Sequence, residues 1–199
     1  MVHSSTTNAD SGSGSAPSKM TVPAVLVDQH RQLRELLAVV RDADSALRAR
    51  PFDRLRRLLA GHETAEEVVV RPVSKQIMDR DVVAERNREE RRIVRLLAGL
   101  EKLDTGGPEF DERFPVFAAL LEQHMNLEES IEFPVLESEL IESDRTAMAR
   151  WIGRAIALGP THAHPRAFGA PMLERALTPF NALADHARDG FKRAENSSG

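Results

Sequence analysis

The eleven residues His62-Glu63-Thr64-Ala65-Glu66-Glu67-Val68-Val69-Val70-Arg71-Pro72 are echoed, 62 positions later and without a gap, by His124-Met125-Asn126-Leu127-Glu128-Glu129-Ser130-Ile131-Glu132-Phe133-Pro134. The pattern LLxxHxxxEExxxxPV occurs twice, starting at Leu58 and at Leu120. On a helix, His and Glu four apart share one face about 6 Å apart along the axis, so each copy offers an imidazole beside a carboxylate. Two such faces turned toward each other would form a two-metal site.

The periodicity around the repeat is helical throughout. Leu26, His30, Leu33, Leu37 and Val40 recur at intervals of four and three, as do Leu55, Leu59, His62, Glu66, Val69 and Val73. Adding 62 to the second set gives Phe117, Leu121, His124, Glu128, Ile131 and Val135, so both His/Glu pairs point inward. A further stretch from about Val82 to Leu103 carries Val83, Glu90, Ile93, Leu97 and Leu100 on its inner face, with Glu89 beside Glu90. HRQLRELL from His30 matches ERRIVRLL from Glu90 at its Arg, aliphatic and Leu-Leu positions, so the repeated unit is a whole helical hairpin. No stretch alternates as a half-buried strand does, and the expected class is all-α.

Arg50-Pro51 is expected to break the first hairpin and Thr105-Gly106-Gly107-Pro108 the second. Short loops make the helices antiparallel. Pro72 and Pro134 are expected to kink or end their helices beyond the site. Residues 1–20 are Ser/Gly/Thr-rich and read as a disordered arm, residues 21–142 as the bundle, and residues 143–199 as a C-terminal helical extension. That extension includes a helix near Asp144 to Leu158, which Trp151, Ile152 and Ile156 would pack against the core or a second subunit.

Three buried histidines and three buried carboxylates in an apolar bundle are costly unless each has a strong partner. Metal ions would supply one, with His30, His62, Glu66, Glu90, His124 and Glu128 as ligands. The alternative is a buried His–Glu hydrogen-bond network. Glu63, Glu67, Glu129 and Glu132 read as outer acceptors or solvated carboxylates. His162 and His164 read as turn markers, and His3 and His186 carry no signal. The chain has no cysteine and no tyrosine, so thiolate sites, disulfides and phenolate ligands are excluded. A formal charge of −4 argues against nucleic acid, and the Arg/Glu stretch from Arg86 to Arg95 reads as a solvated face laced with ion pairs. No apolar run matches a bilayer or a signal sequence, which leads to an expectation of a soluble, cytoplasmic protein without a membrane partner.

His30, the pair His62/Glu66 in GHETAEE, Glu90, and the pair His124/Glu128 in QHMNLEES resemble the hemerythrin-like family with the HHE cation-binding domain, over roughly Val22 to Glu142. The resemblance implies an up-down-up-down four-helix bundle with a non-haem di-iron centre, oxo- or hydroxo-bridged, that reacts with dioxygen, peroxide or nitric oxide. One departure stands out: where the family usually has a histidine on the third helix, this chain has Glu90. An added anionic ligand favours Fe(III) over Fe(II), which points toward peroxide or nitric oxide chemistry with a reductant the sequence does not name. The competing reading is a non-enzymatic protein that binds or senses oxygen, nitric oxide or iron. The residues do not by themselves separate iron from manganese or zinc.

Overall fold

The structure, a computed structural model, describes residues 21–158; the proposed arm, His3, His162, His164 and His186 lie outside the described residues, as does the side chain of Ile156. The described residues are helical, with no strand among them. Among the described residues there are seven α-helices: α1 (Val22–Asp42), α2 (Ala49–Ala65), α3 (Arg71–Ile77), α4 (Arg80–Leu100), α5 (Pro108–Leu127), α6 (Phe133–Glu139) and α7 (Glu142–Leu158). A π-helical segment, Glu66–Val70, joins α2 to α3, and its counterpart, Glu128–Glu132, joins α5 to α6. Four long helical rods result, running up, down, up and down, with α1 against α2 and α4 against α5. The fifth, α7, lies across α1, α2 and the first π segment.

Local chemistry accounts for the ends. Pro23 and Pro108 sit in the first positions of α1 and α5, where a missing N–H costs nothing. Asp79 caps α4 by accepting a hydrogen bond from the Asp81 amide at 2.7 Å. The first connection departs from expectation, because Pro51 lies in the first turn of α2 and the break falls at Ala43–Arg48 around a short 3₁₀ turn. A first-turn proline loses no helical hydrogen bond, so it does not break a helix there.

Pro72 and Pro134 do not end their rods either. In each copy the amide after the π segment bonds five residues back, Arg71 to Glu66 and Phe133 to Glu128. This widened turn comes just ahead of the proline, where an α-helix would present both a missing donor and a ring clash, and the rod runs on to Ile77 or Glu139. Both π segments begin at the glutamate of a His/Glu pair, so the duplication seen in sequence extends to backbone geometry.

The core is divided in two. Leu33, Leu37, Phe52, Leu55, Leu59, Leu97, Phe117 and Leu121 belong to one apolar cluster at the loop end of the hairpins. Leu26, Ala65, Val69, Val73, Phe133, Leu136, Met148 and Ile152 belong to the other, which α7 completes, with Trp151 packed against its edge. His30 lies between Leu26 and Leu33, and His62 between Leu59 and Ala65, so the polar layer is sealed above and below by apolar side chains. None of the described helices is long and apolar enough to cross a membrane.

Candidate metal centre

His30, His62, Glu66, Glu90, His124 and Glu128 are all buried, and the structure brings all six together. They fall into two groups of four donors. His30, His62, Glu66 and Glu128 form the first, and Glu63, Glu66, Glu90 and His124 the second, with ligand atoms in each within 4.8 Å of one another. Glu66 belongs to both. Glu128 also spans them, with Oε1 3.2 Å from His124 Nε2 and Oε2 3.4 Å from His30 Nε2.

Each imidazole presents Nε2 to the centre. His62 Nε2 lies 3.2 Å from His30 Nε2 and 3.3 Å from Glu66 Oε1. On the outer side His30 Nδ1 meets Glu129 Oε1 at 2.8 Å, and His62 Nδ1 meets Gln29 Oε1 at 3.2 Å. Both outer atoms are acceptors, so a singly protonated ring carries its proton on Nδ1 and turns an Nε2 lone pair inward. Glu129 is held in turn by Arg34 at 2.7 Å. Around His124 the backing is looser: Glu89 Oε2 is 3.5 Å from Nδ1 and pairs with Arg86 at 2.5 Å.

Electrostatics at the centre are strained by burial. Burial holds His62 down at about 3, with the neighbouring His30 adding to the effect. Burial pushes Glu63 up to about 7 and holds Glu66 well above the usual carboxylate range, Glu128 and Glu63 adding to the latter. Burial alone would lower His124, but Glu128, Glu89 and Glu63 together outweigh it and hold the ring up at about 9. Burial would likewise raise Glu128, yet His124, His30 and His62 bring it down to about 2. Both oxygens of Glu63 and of Glu66, both ring nitrogens of His124 and Oε2 of Glu128 are buried without a hydrogen bond. So many orphaned donor atoms around one point fit a cationic group, since buried polar atoms otherwise find partners.

Two residues of the centre had no place in the expected ligand set. Glu63 is buried in the second group. Its signal was the i,i+3 spacing to Glu66, which puts both carboxylates on neighbouring positions of one face. The second copy has Met125 at the equivalent position, so the two halves differ chemically. Arg71 is the other. It is fully buried and pairs with Glu90 and, through Nη1, with Glu132 at 3.2 Å, while Ser74 Oγ donates to Glu132 at 2.5 Å. Burial disfavours its charge, but Glu132, Glu66, Glu128 and Glu63 outweigh that and keep Arg71 above its ordinary value. Glu90, not Glu89, is the α4 carboxylate at the centre, since Glu89 points to the outer side of His124. Arg86 is likewise buried and not part of a solvated face, while Arg88 and Glu85 pair on the surface as expected.

A cleft of about 190 Å³ between α4 and α5 is lined by Glu85, Glu89, Arg92, Leu120, Gln123 and, alone of the centre's residues, His124. His124 therefore stands between the surface and the second group.

Comparison with known proteins agrees with the architecture. Residues 21–136 match the family described as Hemerythrin HHE cation binding domain. An uncharacterized hemerythrin-like protein of Schizosaccharomyces pombe is 29% identical over 138 residues, covering 68% of each chain. The crystal structure of a hemerythrin HHE cation-binding-domain protein from Mycobacterium kansasii superposes with a TM-score of 0.61 at 18% identity, over 84% of this chain and 98% of that one. The two donor groups suit cation binding, and the matched residues span the four rods that carry them. The chain belongs to the hemerythrin HHE cation-binding domain family.

Proposed function

We propose that residues 21–142 form a unit holding a non-haem di-iron centre that reacts with peroxide, nitric oxide or dioxygen, with residues 143–199 as an addition to it. The observation that carries this reading is the pair of four-donor groups sharing Glu66, with three imidazoles turning Nε2 inward. His30, His62, Glu66 and Glu128 would hold one ion, and Glu63, Glu66, Glu90 and His124 the other. Bound iron supplies redox and Lewis-acid chemistry.

The chain's own residues do the rest. Glu129 and Gln29 fix the proton of His30 and His62 on Nδ1, which keeps Nε2 available. The two apolar clusters exclude bulk water above and below. Four carboxylates around two ions favour the ferric state, which makes reversible oxygen carriage hard to sustain and supports reduction of peroxide or transformation of nitric oxide. Nitrogen and oxygen donors alone also suit manganese or zinc, so metal identity is part of the test. Peroxide consumption should require iron and vanish in Glu66→Ala; activity retained in that variant would reject the enzymatic reading.

A second reading, a non-enzymatic sensor of oxygen, nitric oxide or iron, is favoured by one contact. The π segment that begins at Glu66 packs against α7, so a change at Glu66 can reach the C-terminal region. Redox-dependent protease sensitivity of that region, with negligible turnover, would select it.

A further inference from the structure

The two donor groups differ in their donors, and also in the presence of one buried cation beside the second. Arg71 opens α3 directly after the first π segment and is fully buried. Its guanidinium pairs with Glu90 on one side and with Glu132 on the other, at 3.2 and 3.3 Å. Ser74 Oγ, 2.5 Å from Glu132 Oε1, fixes the far carboxylate in place. Despite the duplication, the second copy has Phe133 where the first has Arg71, and Phe133 stacks on His30. One half of the centre thus has a charged neighbour and the other an aromatic one.

The consequence falls on Glu90. A carboxylate in the bundle interior needs a partner, and Arg71 is the one it has. Any cation entering the second group must share Glu90 with that guanidinium or displace it, and does so close to a fixed positive charge in a medium that screens poorly. The charge of Arg71 also acts on Glu66 and Glu128, but no ligand of the first group, His30, His62, Glu66 and Glu128, is paired directly with it as Glu90 is.

We propose that Arg71 is a positioning residue that competes with metal for Glu90, so that the centre loads in order: the His30–His62–Glu66–Glu128 group first, and the Glu63–Glu66–Glu90–His124 group second and more weakly. This rests on the reading that these two groups hold metal ions. The arrangement gives Glu90 a partner inside the core of the metal-free protein, and it makes the second ion the exchangeable one.

Titration of the metal-free full-length chain with Co²⁺, followed by its d–d absorption and by calorimetry, tests this without any assay of turnover. Wild type should bind in two steps whose Kd values differ by about tenfold or more. The double variant Arg71→Gln/Glu132→Gln removes opposite charges together and frees Glu90. It should tighten the second step by about tenfold and leave the first unchanged. Should that variant fail to fold, Arg71→Lys keeps the charge but not the fork that grips two carboxylates, and should tighten the second step by about threefold. Equal steps in wild type, or a second step that moves in neither folded variant or only together with the first, would overturn the inference and leave the proposed function standing. A wild type that takes up no Co²⁺ would overturn both.

Discussion

His30 Nε2 lies 3.2 Å from His62 Nε2, with both rings fully buried. With the outer nitrogens on acceptors, singly protonated rings turn two lone pairs toward each other, an arrangement that a shared cation relieves. The relationship makes His62 the keystone of the first donor group. His62→Ala is expected to weaken the tightest metal ion by about a hundredfold or more, the scale on which loss of one strong ligand reads out. Competition with a chromophoric chelator measures it; an unchanged first Kd would contradict the assignment.

Glu63 gives a separable prediction. Met125 shows that an apolar side chain fits the equivalent position of the duplicated rod. Glu63→Met removes a buried carboxylate with no hydrogen bond, so the metal-free protein should gain about 1–3 kcal/mol. The same variant should bind the second ion at least tenfold more weakly. Chemical denaturation and metal titration of one preparation check both halves, and a destabilised metal-free variant would count against the site reading.

The metal-free protein should also lose stability as pH rises from 6.5 to 9. His124 and Glu63 have folded values of about 9 and about 7, above their ordinary 6.5 and 4.5, so their contribution is complete below the ordinary values and lost as pH passes the folded ones. His62 and Glu128, at about 3 and about 2, act in the other direction, and their contribution is lost only as pH falls below 6.5 and 4.5 respectively. Above pH 6.5 the raised groups dominate, Glu66 adding to the first pair in the same direction, and His124 alone is worth on the order of 3 kcal/mol. Denaturation at pH 6.5 and pH 9 without metal measures the loss. Metal affinity should rise over the same range, because binding expels those protons.

The cleft beside His124 predicts a kinetic effect. Gln123 is exposed at its rim, so Gln123→Trp narrows the opening without touching the core. Fe(II) loading followed by stopped flow should slow by about tenfold at unchanged final stoichiometry, while Lys75→Trp on the exposed face of α3 should load normally. Equal rates in both variants would place the path elsewhere.

Most of the architecture was legible because the duplicated pattern gave each rod its inward face as far as the His/Glu pair; beyond Glu128 the expected inward residue Ile131 is exposed and Phe133 and Leu136 turn inward instead, and a helix that begins at Glu142 was read from Asp144. That His30, His62, Glu66, Glu90, His124 and Glu128 would meet in one buried layer was legible for the same reason: each occupies a seam position that an apolar residue would otherwise fill. Pro51 misled because a proline signal alone does not say whether it falls in a loop or in a first turn. Pro72 and Pro134 misled because the π segments ahead of them depend on backbone bonds that periodicity does not encode. Glu63 was obscured because its signal, the i,i+3 spacing to Glu66, competes with the seam periodicity that aims its neighbour His62 inward. Arg71 gave no signal, because an arginine beside a proline reads as surface until Glu90 and Glu132, from two other rods, are known to meet it.

The central claim is that two metal ions bind in the layer between the apolar clusters, and metal analysis after anaerobic Fe(II) loading tests it most directly. Wild type should retain about two iron atoms per chain after desalting, and Glu66→Ala, which removes the carboxylate common to both groups, about one or fewer. Wild type retaining less than about half an iron atom per chain, or Glu66→Ala retaining as much as wild type, would contradict the account.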